Sequence, residues 1–302
     1  MEDICWLGTD NFEESMKIHM FLAVPLSFGC ETEETGLIAN QYADGMKYLT
    51  LSFHSHHMPL FNLIFWKYTT GIMGLSKAGD NIVTQMYNSQ VLKHNAFSLC
   101  LTRSAGIMSI GGTVLSYPSN KHLEPMQREP LLPRDHYYVV EIAVVHVGNI
   151  MVGTKKTIAN SFNSGKGTVI DSGTADMYLP SAISDEFQNA WKSIIGDEKW
   201  LHNKAISYTY DDFQKLPNIT FTLSKGYRWV IQPIQYMEEQ FQAGTIKESI
   251  INQGWEGLKT FTNRIYLDEP RGCVLGANAM YNHDILFDIE NSRIGIASAD
   301  CS

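Results

Sequence analysis

Thr168-Val-Ile-Asp171-Ser-Gly-Thr174 is the stretch that decides the fold of this chain. Two β-branched apolar residues predict a buried strand, and the Asp-Ser-Gly-Thr that follows predicts a tight turn. Gly173 allows the backbone to turn sharply and another segment to approach closely. The hydroxyls of Ser172 and Thr174 can hold the Asp171 carboxylate in place. Taken alone, this pattern fits an ordinary turn after a core strand as well as a functional carboxylate at a strand end.

A second pattern lies far downstream, in Gly272-Cys-Val-Leu-Gly276. Val274 and Leu275 form an apolar pair, and Gly276 follows them directly. Asp-Ser-Gly followed later by apolar-apolar-Gly resembles the ψ-loop of pepsin-like aspartic peptidases. The resemblance implies an all-β fold with a few short helices, arranged in two lobes. It also implies a hydrolase that cleaves peptide bonds without a metal or an organic cofactor.

Two motifs nearer the start resemble the N-terminal lobe of the plant, nepenthesin-like peptidases. They are Phe28-Gly-Cys30 and Gly71-Ile-Met-Gly74. In that family a short loop ending in Asp-Gly joins the two motifs, whereas here residues 46–70 follow Asp44-Gly45. By resemblance, the structural turn of the first lobe, its apolar-apolar-Gly, consists of three residues: Ile72, Met73 and Gly74.

The insert at residues 46–70 is aromatic and apolar, and the family pattern is restored when it is removed. We interpret it as a retained intron translated in frame, and a true hydrophobic loop is the alternative. His54, His56 and His57 bring imidazoles close together, as a metal site does. No carboxylate or thiol lies nearby in the sequence to complete a ligand set, so we predict no metal site.

Pepsin-like peptidases use two aspartates, one from each lobe, that share a proton. The resemblance implies that Asp171 is the catalytic aspartate of the C-terminal lobe. No other Asp-Ser-Gly or Asp-Thr-Gly occurs in the 302 residues. We therefore expect residues 1–135 to be a partial N-terminal lobe, truncated at its start, and residues 136–302 to be the C-terminal lobe.

Two functional hypotheses follow from this inventory. In the first, the chain is an aspartic endopeptidase by family that lacks its first catalytic aspartate and is inactive as it stands. In the second, it is a non-catalytic pseudo-peptidase that binds protein. By resemblance, Gly173 and Thr174 would bind the substrate backbone, with Tyr178 packed beside it. The alternative roles of these three residues are turn former, turn cap and core aromatic.

The chain has five cysteines, an odd number that leaves one without a partner inside the chain. By resemblance, Cys30 would pair with Cys100. Cys273 and Cys301 flank the closing segment and could tie it down, which leaves Cys5. Disulfide bonds are typical of secreted proteins. Asn218-Ile-Thr220 is the only sequon for N-glycosylation, which makes Asn218 a glycosylation candidate.

Composition and charge limit the classes of partner that are expected to bind this protein. The formal net charge is −9 and no basic patch stands out, so nucleic acid is not an expected partner. The resemblance implies a protein or peptide substrate, and we expect a monomer. No signal peptide begins at Met1 and no apolar run is long enough to cross a bilayer. For a full-length protein, the family implies secretion or a lytic compartment of the endomembrane system.

Local patterns predict several individual elements. Residues 80–93 fit a helix capped by Asp80, and residues 181–195 carry apolar residues at helical spacing. Strands are expected at 97–101, 137–147 and 216–223, together with a hairpin over 287–297. The proline-rich stretch 123–133 is interpreted as a connection between lobes.

Overall fold

The computed structural model describes residues 73–77, 81–103, 105–113, 115–116, 121–134, 136–196, 203–240 and 254–301, and the backbone of residues 2–5 and 24–27. These residues belong to two compact units. In the first unit, β1 (Glu2–Cys5) pairs with β2 (Val24–Ser27) in antiparallel fashion, and one helix follows, α1 (Ile82–Asn88). The second unit contains the elements from residue 93 onward.

The second unit consists mainly of strands, which confirms the all-β prediction. Its strands are β3 (Ala96–Leu101), β4 (Gly106–Ile110), β5 (Gln127–Pro130), β6 (Val139–Val140), β7 (Ile142–Val147), β8 (Ile150–Val152), β9 (Thr168–Ile170), β10 (Met177–Pro180), β11 (Ala205–Tyr208), β12 (Ile219–Leu223), β13 (Arg228–Ile231), β14 (Met237–Glu239), β15 (Lys259–Asn263), β16 (Ile265–Glu269), β17 (Cys273–Leu275), β18 (His283–Asp288) and β19 (Arg293–Ser298). Its short helices are α2 (Lys155–Ser161), α3 (Ser184–Ile195), α4 (Tyr210–Gln214), α5 (Pro233–Tyr236) and α6 (Ala277–Met280).

These strands form four sheets. Their strand orders are β16-β10-β17-β9-β6, β11-β15-β14, β13-β12-β7-β8 and β4-β3-β18-β19-β5. The first sheet carries the Asp-Ser-Gly-Thr turn at the end of β9. The last sheet joins β3 and β4 to the hairpin of β18 and β19, so it combines strands from both sides of residue 135. The proposed lobe boundary at that residue stays a prediction.

Helix α3 follows directly from the sequence pattern. Phe187 and Trp191 lie one turn apart and are fully buried, and each such side chain contributes about 1.5–3 kcal/mol through burial. Asp185 and Glu186 in the first turn favour the positive end of the helix dipole. The helix ends at Gly196, whose φ of +92° suits glycine. The predicted helix is thus confirmed, with a 3₁₀ turn over its first three residues.

Other expected elements differ in their bounds. Helix α1 is shorter than residues 80–93, and its cap is Asn81, whose side chain accepts a hydrogen bond from the Thr84 amide at 2.9 Å. Asp80, the expected cap, lies outside the described residues. The expected strand at 137–147 is divided into β6 and β7 by Glu141.

The proline-rich stretch 123–133 contains a strand. Strand β5 pairs with β19 over four residues, which adds an edge to the last sheet. Proline is tolerated there because an edge strand has one row of backbone groups without a ladder partner. The sequence pattern therefore missed this strand. The insert at 46–70, Cys30 and Ile72 lie outside the described residues.

Candidate active site

The Asp171 carboxylate is held through both of its oxygens. Asp171 is half-buried and follows the last residue of β9, where its amide donates to the Leu275 carbonyl at 3.0 Å. Oδ1 accepts the Gly173 amide at 2.9 Å, and Oδ2 accepts the Thr174 hydroxyl at 2.7 Å. Ser172 is exposed, and the donor to Oδ1 is the Gly173 backbone amide rather than the Ser172 hydroxyl. These contacts fix the direction of the carboxylate and leave part of it accessible.

The apolar-apolar-Gly segment lies beside this turn, as the sequence predicted. Strand β17 is inserted between β9, to which it is parallel, and β10, to which it is antiparallel. Val274 is paired with Val169, and Leu275 with Ile170. Because β17 comes last in the chain but lies between the other two strands, the three form a ψ-loop that ends at Asp171.

Gly276 is required by the close approach of two backbone segments. A Cβ atom at this position would meet the Thr174 carbonyl at 2.5 Å and the Asp176 carbonyl at a still shorter distance. The turn is also held by the first residues of α6. The Ala277 amide donates to the Thr174 carbonyl at 2.7 Å, and the Asn278 amide donates to the Ala175 carbonyl at 3.1 Å. The Asp171 turn is therefore fixed by backbone hydrogen bonds on two sides.

A charged cluster adjoins the turn, and the sequence patterns gave no indication of it. The Arg264 Nε lies 2.8 Å from the Glu238 carboxylate and 3.7 Å from that of Asp176. Burial raises the pKa of Asp176, Glu238 raises it further, and Arg264 partly opposes both. The Arg264 carbonyl accepts from the Met177 amide and from the Asn278 side chain. The cluster therefore belongs to the framework that supports the turn.

Tyr178 lies on the same sheet and is half-buried. Its ring stacks on Tyr266 with centroids 4.8 Å apart, and its backbone is paired with Val274 and Tyr266. Burial, followed by the nearby Asp176 carboxylate, raises the pKa of Tyr178. Stacking gives Tyr178 a structural role, and the sequence patterns did not indicate Tyr266 as its partner.

Met73 and Gly74, from the proposed first-lobe turn, belong to the other unit and are exposed. Asn218 is exposed and lies directly before β12.

The cysteine pairing differs from the one implied by resemblance. Cys100 is bonded to Cys301, with Cα atoms 5.1 Å apart, so the pairing of Cys30 with Cys100 is wrong. The reason is the sheet: Cys100 is paired with Asp284 in β18, and β19 next to it leads to Cys301. The expected tie between Cys273 and Cys301 is also wrong, because Cys273 is a buried free thiol in β17. Burial raises the pKa of this thiol.

Two kinds of feature are absent from the residues that the structure describes. Among these residues, no group of three or more His, Cys, Asp or Glu side chains is arranged to hold a metal ion. No helix in the described ranges is long and apolar enough to cross a membrane.

A family model described as eukaryotic aspartyl protease matches residues 55–299. This chain belongs to the eukaryotic aspartyl protease family. The match includes both halves of the ψ-loop, so the aspartyl protease assignment agrees with the geometry around Asp171.

Curated relatives of this aspartyl protease chain come from plants and animals. Aspartic proteinase 39 of Arabidopsis thaliana is 23% identical over 77% of this chain and 45% of its own length. Aspartyl protease AED3 of the same plant is 26% identical over 77% of this chain and 49% of its own length. A beta-secretase of Strongylocentrotus purpuratus is 27% identical over 65% of this chain and 36% of its own length. The chain thus spans about half the length of the plant relatives, or less.

Proposed function

We propose that Asp171 is one of the two catalytic aspartates of an aspartic endopeptidase that hydrolyses protein or peptide substrates. One observation carries the proposal: a carboxylate held through both oxygens at the end of a ψ-loop, in a chain of the aspartyl protease family. An ordinary turn after a core strand does not need the β17 segment threaded beside it. The contacts of Asp171 orient a carboxylate that is still accessible to a substrate.

The chemistry requires a second carboxylate close to Asp171. Two carboxyl groups at short distance share one proton, because both cannot ionise comfortably together. The ionised group takes a proton from water as the water oxygen attacks the peptide carbonyl carbon, and the protonated group donates to the carbonyl oxygen. Collapse of this tetrahedral intermediate breaks the C–N bond, and a proton goes to the leaving nitrogen.

The chain by itself is proposed to be inactive as a monomer. Its 302 residues contain a single Asp-Ser-Gly and no Asp-Thr-Gly, so the partner of Asp171 must come from outside this sequence. A second copy could in principle supply it. We propose that it does not, because the remainder of the N-terminal lobe would obstruct a symmetric pairing.

The finer assignments belong to the same proposal. Gly173 and Thr174 bind the substrate backbone, and Tyr178 packs beside it. Residues 1–135 belong to the first lobe and residues 136–302 to the second. The full-length protein acts in a secreted or lytic compartment, which the Cys100–Cys301 disulfide supports.

The decisive assay compares the purified chain with Asp171→Asn on fluorogenic peptides at acid pH. We expect no turnover by the chain above that of the variant. Turnover that rises with the square of the protein concentration and disappears in Asp171→Asn would show that two copies form the dyad. Turnover proportional to concentration and retained in the variant would overturn the role of Asp171.

A pseudo-peptidase that binds protein is the second candidate, and the single Asp-Ser-Gly favours it. Binding separates the two hypotheses. A peptide whose scissile carbonyl is replaced by a hydroxyl carbon imitates the tetrahedral intermediate. If Asp171 belongs to a catalytic site, Asp171→Asn should weaken the binding of this peptide more than the binding of its unmodified counterpart. Equal effects on both peptides support the binding module.

A further inference from the structure

A cavity of about 470 Å³ lies in the second unit, apart from the Asp171 turn in sequence and in its lining residues. Its wall combines the rings of Tyr210 and Phe213 from α4 with the polar side chains of Gln214, at the end of α4, and Gln232, directly before α5. The volume falls in the range of roughly 300–1,000 Å³ that is typical of small-molecule sites. A single hexosamine is smaller than the ligands that fill such sites, so one sugar ring has enough room.

Asn218 also lines this cavity, and it heads the only sequon of the chain. Its side chain is exposed. Its backbone is fixed, because its carbonyl accepts the Gly148 amide at 2.8 Å and the next residue begins β12. A group attached to the Asn218 amide would therefore start at the wall of the cavity.

We propose that Asn218 carries an N-linked glycan and that the first sugar of this glycan occupies the cavity. The donor is an oligosaccharide on a lipid pyrophosphate. A bond forms between Asn218 Nδ2 and C1 of the first sugar while the C1–O bond to the pyrophosphate breaks. The lipid pyrophosphate leaves, and the amide nitrogen loses one proton. This inference does not depend on Asp171.

Transfer must precede folding of the sheet that contains β12. Thr220, the third residue of the sequon, is 3% exposed. It lies in a central strand, paired with Val230 of β13 on one side and His146 of β7 on the other. An enzyme that reads an Asn-x-Thr segment cannot reach this hydroxyl after the strands have paired. The sequon is readable only in the unfolded or nascent chain.

The compartment and the order of synthesis agree with this requirement. The Cys100–Cys301 disulfide indicates an oxidising environment, which is where secreted glycoproteins fold. Cys301 is synthesised after Asn218, so the chain cannot close this disulfide before the sequon has emerged.

The cavity wall suits a sugar. The exposed side chain of Gln214 can donate to and accept from ring hydroxyls. The Tyr210 ring is half-buried against Trp255, with centroids 5.0 Å apart, and this position gives a sugar a rigid apolar surface. The first sugar should therefore restrain α4 and the segment that leads to β12.

The first experiment translates the full chain, behind a secretion leader, in the presence of microsomes. We expect one glycan, removed by an amidase that converts Asn218 to Asp. It should be absent in Asn218→Gln and in Thr220→Val, and present in Thr220→Ser. A chain that enters the microsomes and forms the disulfide with an unmodified Asn218 would overturn the proposal. Glycosylation of protein that had already folded would refute the proposal that glycan transfer precedes folding.

The second experiment tests the cavity. The glycan is trimmed to its first sugar, and hydrogen exchange of residues 210–218 is compared with that of Asn218→Gln. We expect the sugar to slow hydrogen exchange in this segment several-fold. In the Gln214→Ala variant carrying the same sugar, the slowing should be smaller. Lys215→Ala, at the exposed neighbouring position outside the cavity wall, is the matched control and should leave the protection unchanged. Equal exchange with and without the sugar would show that the sugar lies in solvent and would refute this part.

Discussion

At the scale of single residues, the Asp171 turn depends on one hydroxyl and one missing side chain. Thr174 supplies a hydroxyl to the carboxylate, and Gly276 supplies the space through which two backbone segments pass. The remaining contacts of the turn come from the backbone, which a substitution does not remove. These two residues are therefore the positions at which a single change tests the geometry.

Thr174→Val keeps the branched shape and removes the hydrogen bond to Asp171 Oδ2. We expect the free energy of unfolding to fall by about 1 kcal/mol, since Thr174 is half-buried and water replaces part of the contact. Urea unfolding at neutral pH measures this change. Thr174→Ser retains the hydroxyl and should lose less stability. The explanation fails if the serine variant is the less stable of the two.

Gly276→Ala places a methyl group against the carbonyls of Thr174 and Asp176. We expect a loss of about 1–3 kcal/mol, which is typical of overpacked sites. Unfolding can be followed through Trp191 and Trp229, which are buried in the same unit. Gly74→Ala belongs to the other apolar-apolar-Gly segment, where a Cβ atom would meet no described residue within 4 Å, and it should leave stability unchanged. Similar losses in both variants would contradict the argument.

At the scale of elements, strands β10, β14 and β16 and helix α6 together form the frame of the turn. Asp176 directly precedes β10, Glu238 lies in β14 and Arg264 directly precedes β16, so the three charges are far apart in sequence and close in space. A buried carboxylate needs a partner, and here one guanidinium serves two carboxylates. Stability should therefore depend on pH through Asp176.

Asp176→Asn tests this dependence. Burial and Glu238 hold the pKa of Asp176 above its ordinary value of 3.8, so its contribution to stability is complete below that value and is lost as the pH rises through the folded pKa. A difference of one pKa unit is worth about 1.4 kcal/mol. Asparagine imitates the neutral carboxyl, so the variant should lose less stability than the parent between acid and neutral pH. Parallel stability curves would contradict this assignment.

Asp288, at the turn between β18 and β19, should make stability depend on pH in the opposite direction to Asp176. Burial alone would raise its pKa, but hydrogen bonds from Arg293 at 2.6 Å and from Asn291 lower it below 3.8. Its contribution is present above the unfolded pKa and is lost as the pH falls through the folded pKa. Asp288→Asn should therefore lose about 1–3 kcal/mol at neutral pH and little at strongly acid pH. Denaturant titrations at both pH values check this, and a uniform loss would refute it.

At the scale of the whole molecule, the second unit is closed by the Cys100–Cys301 bond, which spans 201 residues. Cys301→Ala should lower the free energy of unfolding by about 2–5 kcal/mol, because a long loop is no longer constrained in the unfolded chain. A reductant should destabilise the parent chain to the same extent and leave the variant unchanged. Cys273→Ala removes the buried free thiol and should remain sensitive to reductant. Insensitivity of the parent chain would show that this bond does not close the unit.

Patterns of short range carried most of the sequence-based prediction. Strand β9 with its turn and helix α3 were predicted correctly because their periodicity and capping lie within a few consecutive residues. Strand β5 was missed, since its pairing with β19 depends on a chain segment more than 150 residues away and overrides the proline signal. The predicted partner of Cys100 was wrong for the same reason, because neighbouring strands, rather than the order of motifs, determine which cysteines lie close to each other.

The sequence by itself determined the family and the all-β class and singled out Asp171 as the candidate catalytic residue, because these inferences depend on residue types at fixed local spacing. Tertiary structure alone decided two other features: which charges surround the turn and which cysteine closes the unit. Each of these depends on side chains that distant segments bring together through strand pairing. Pairing is a property of the assembled sheets, so no local pattern in the 302 residues specifies it.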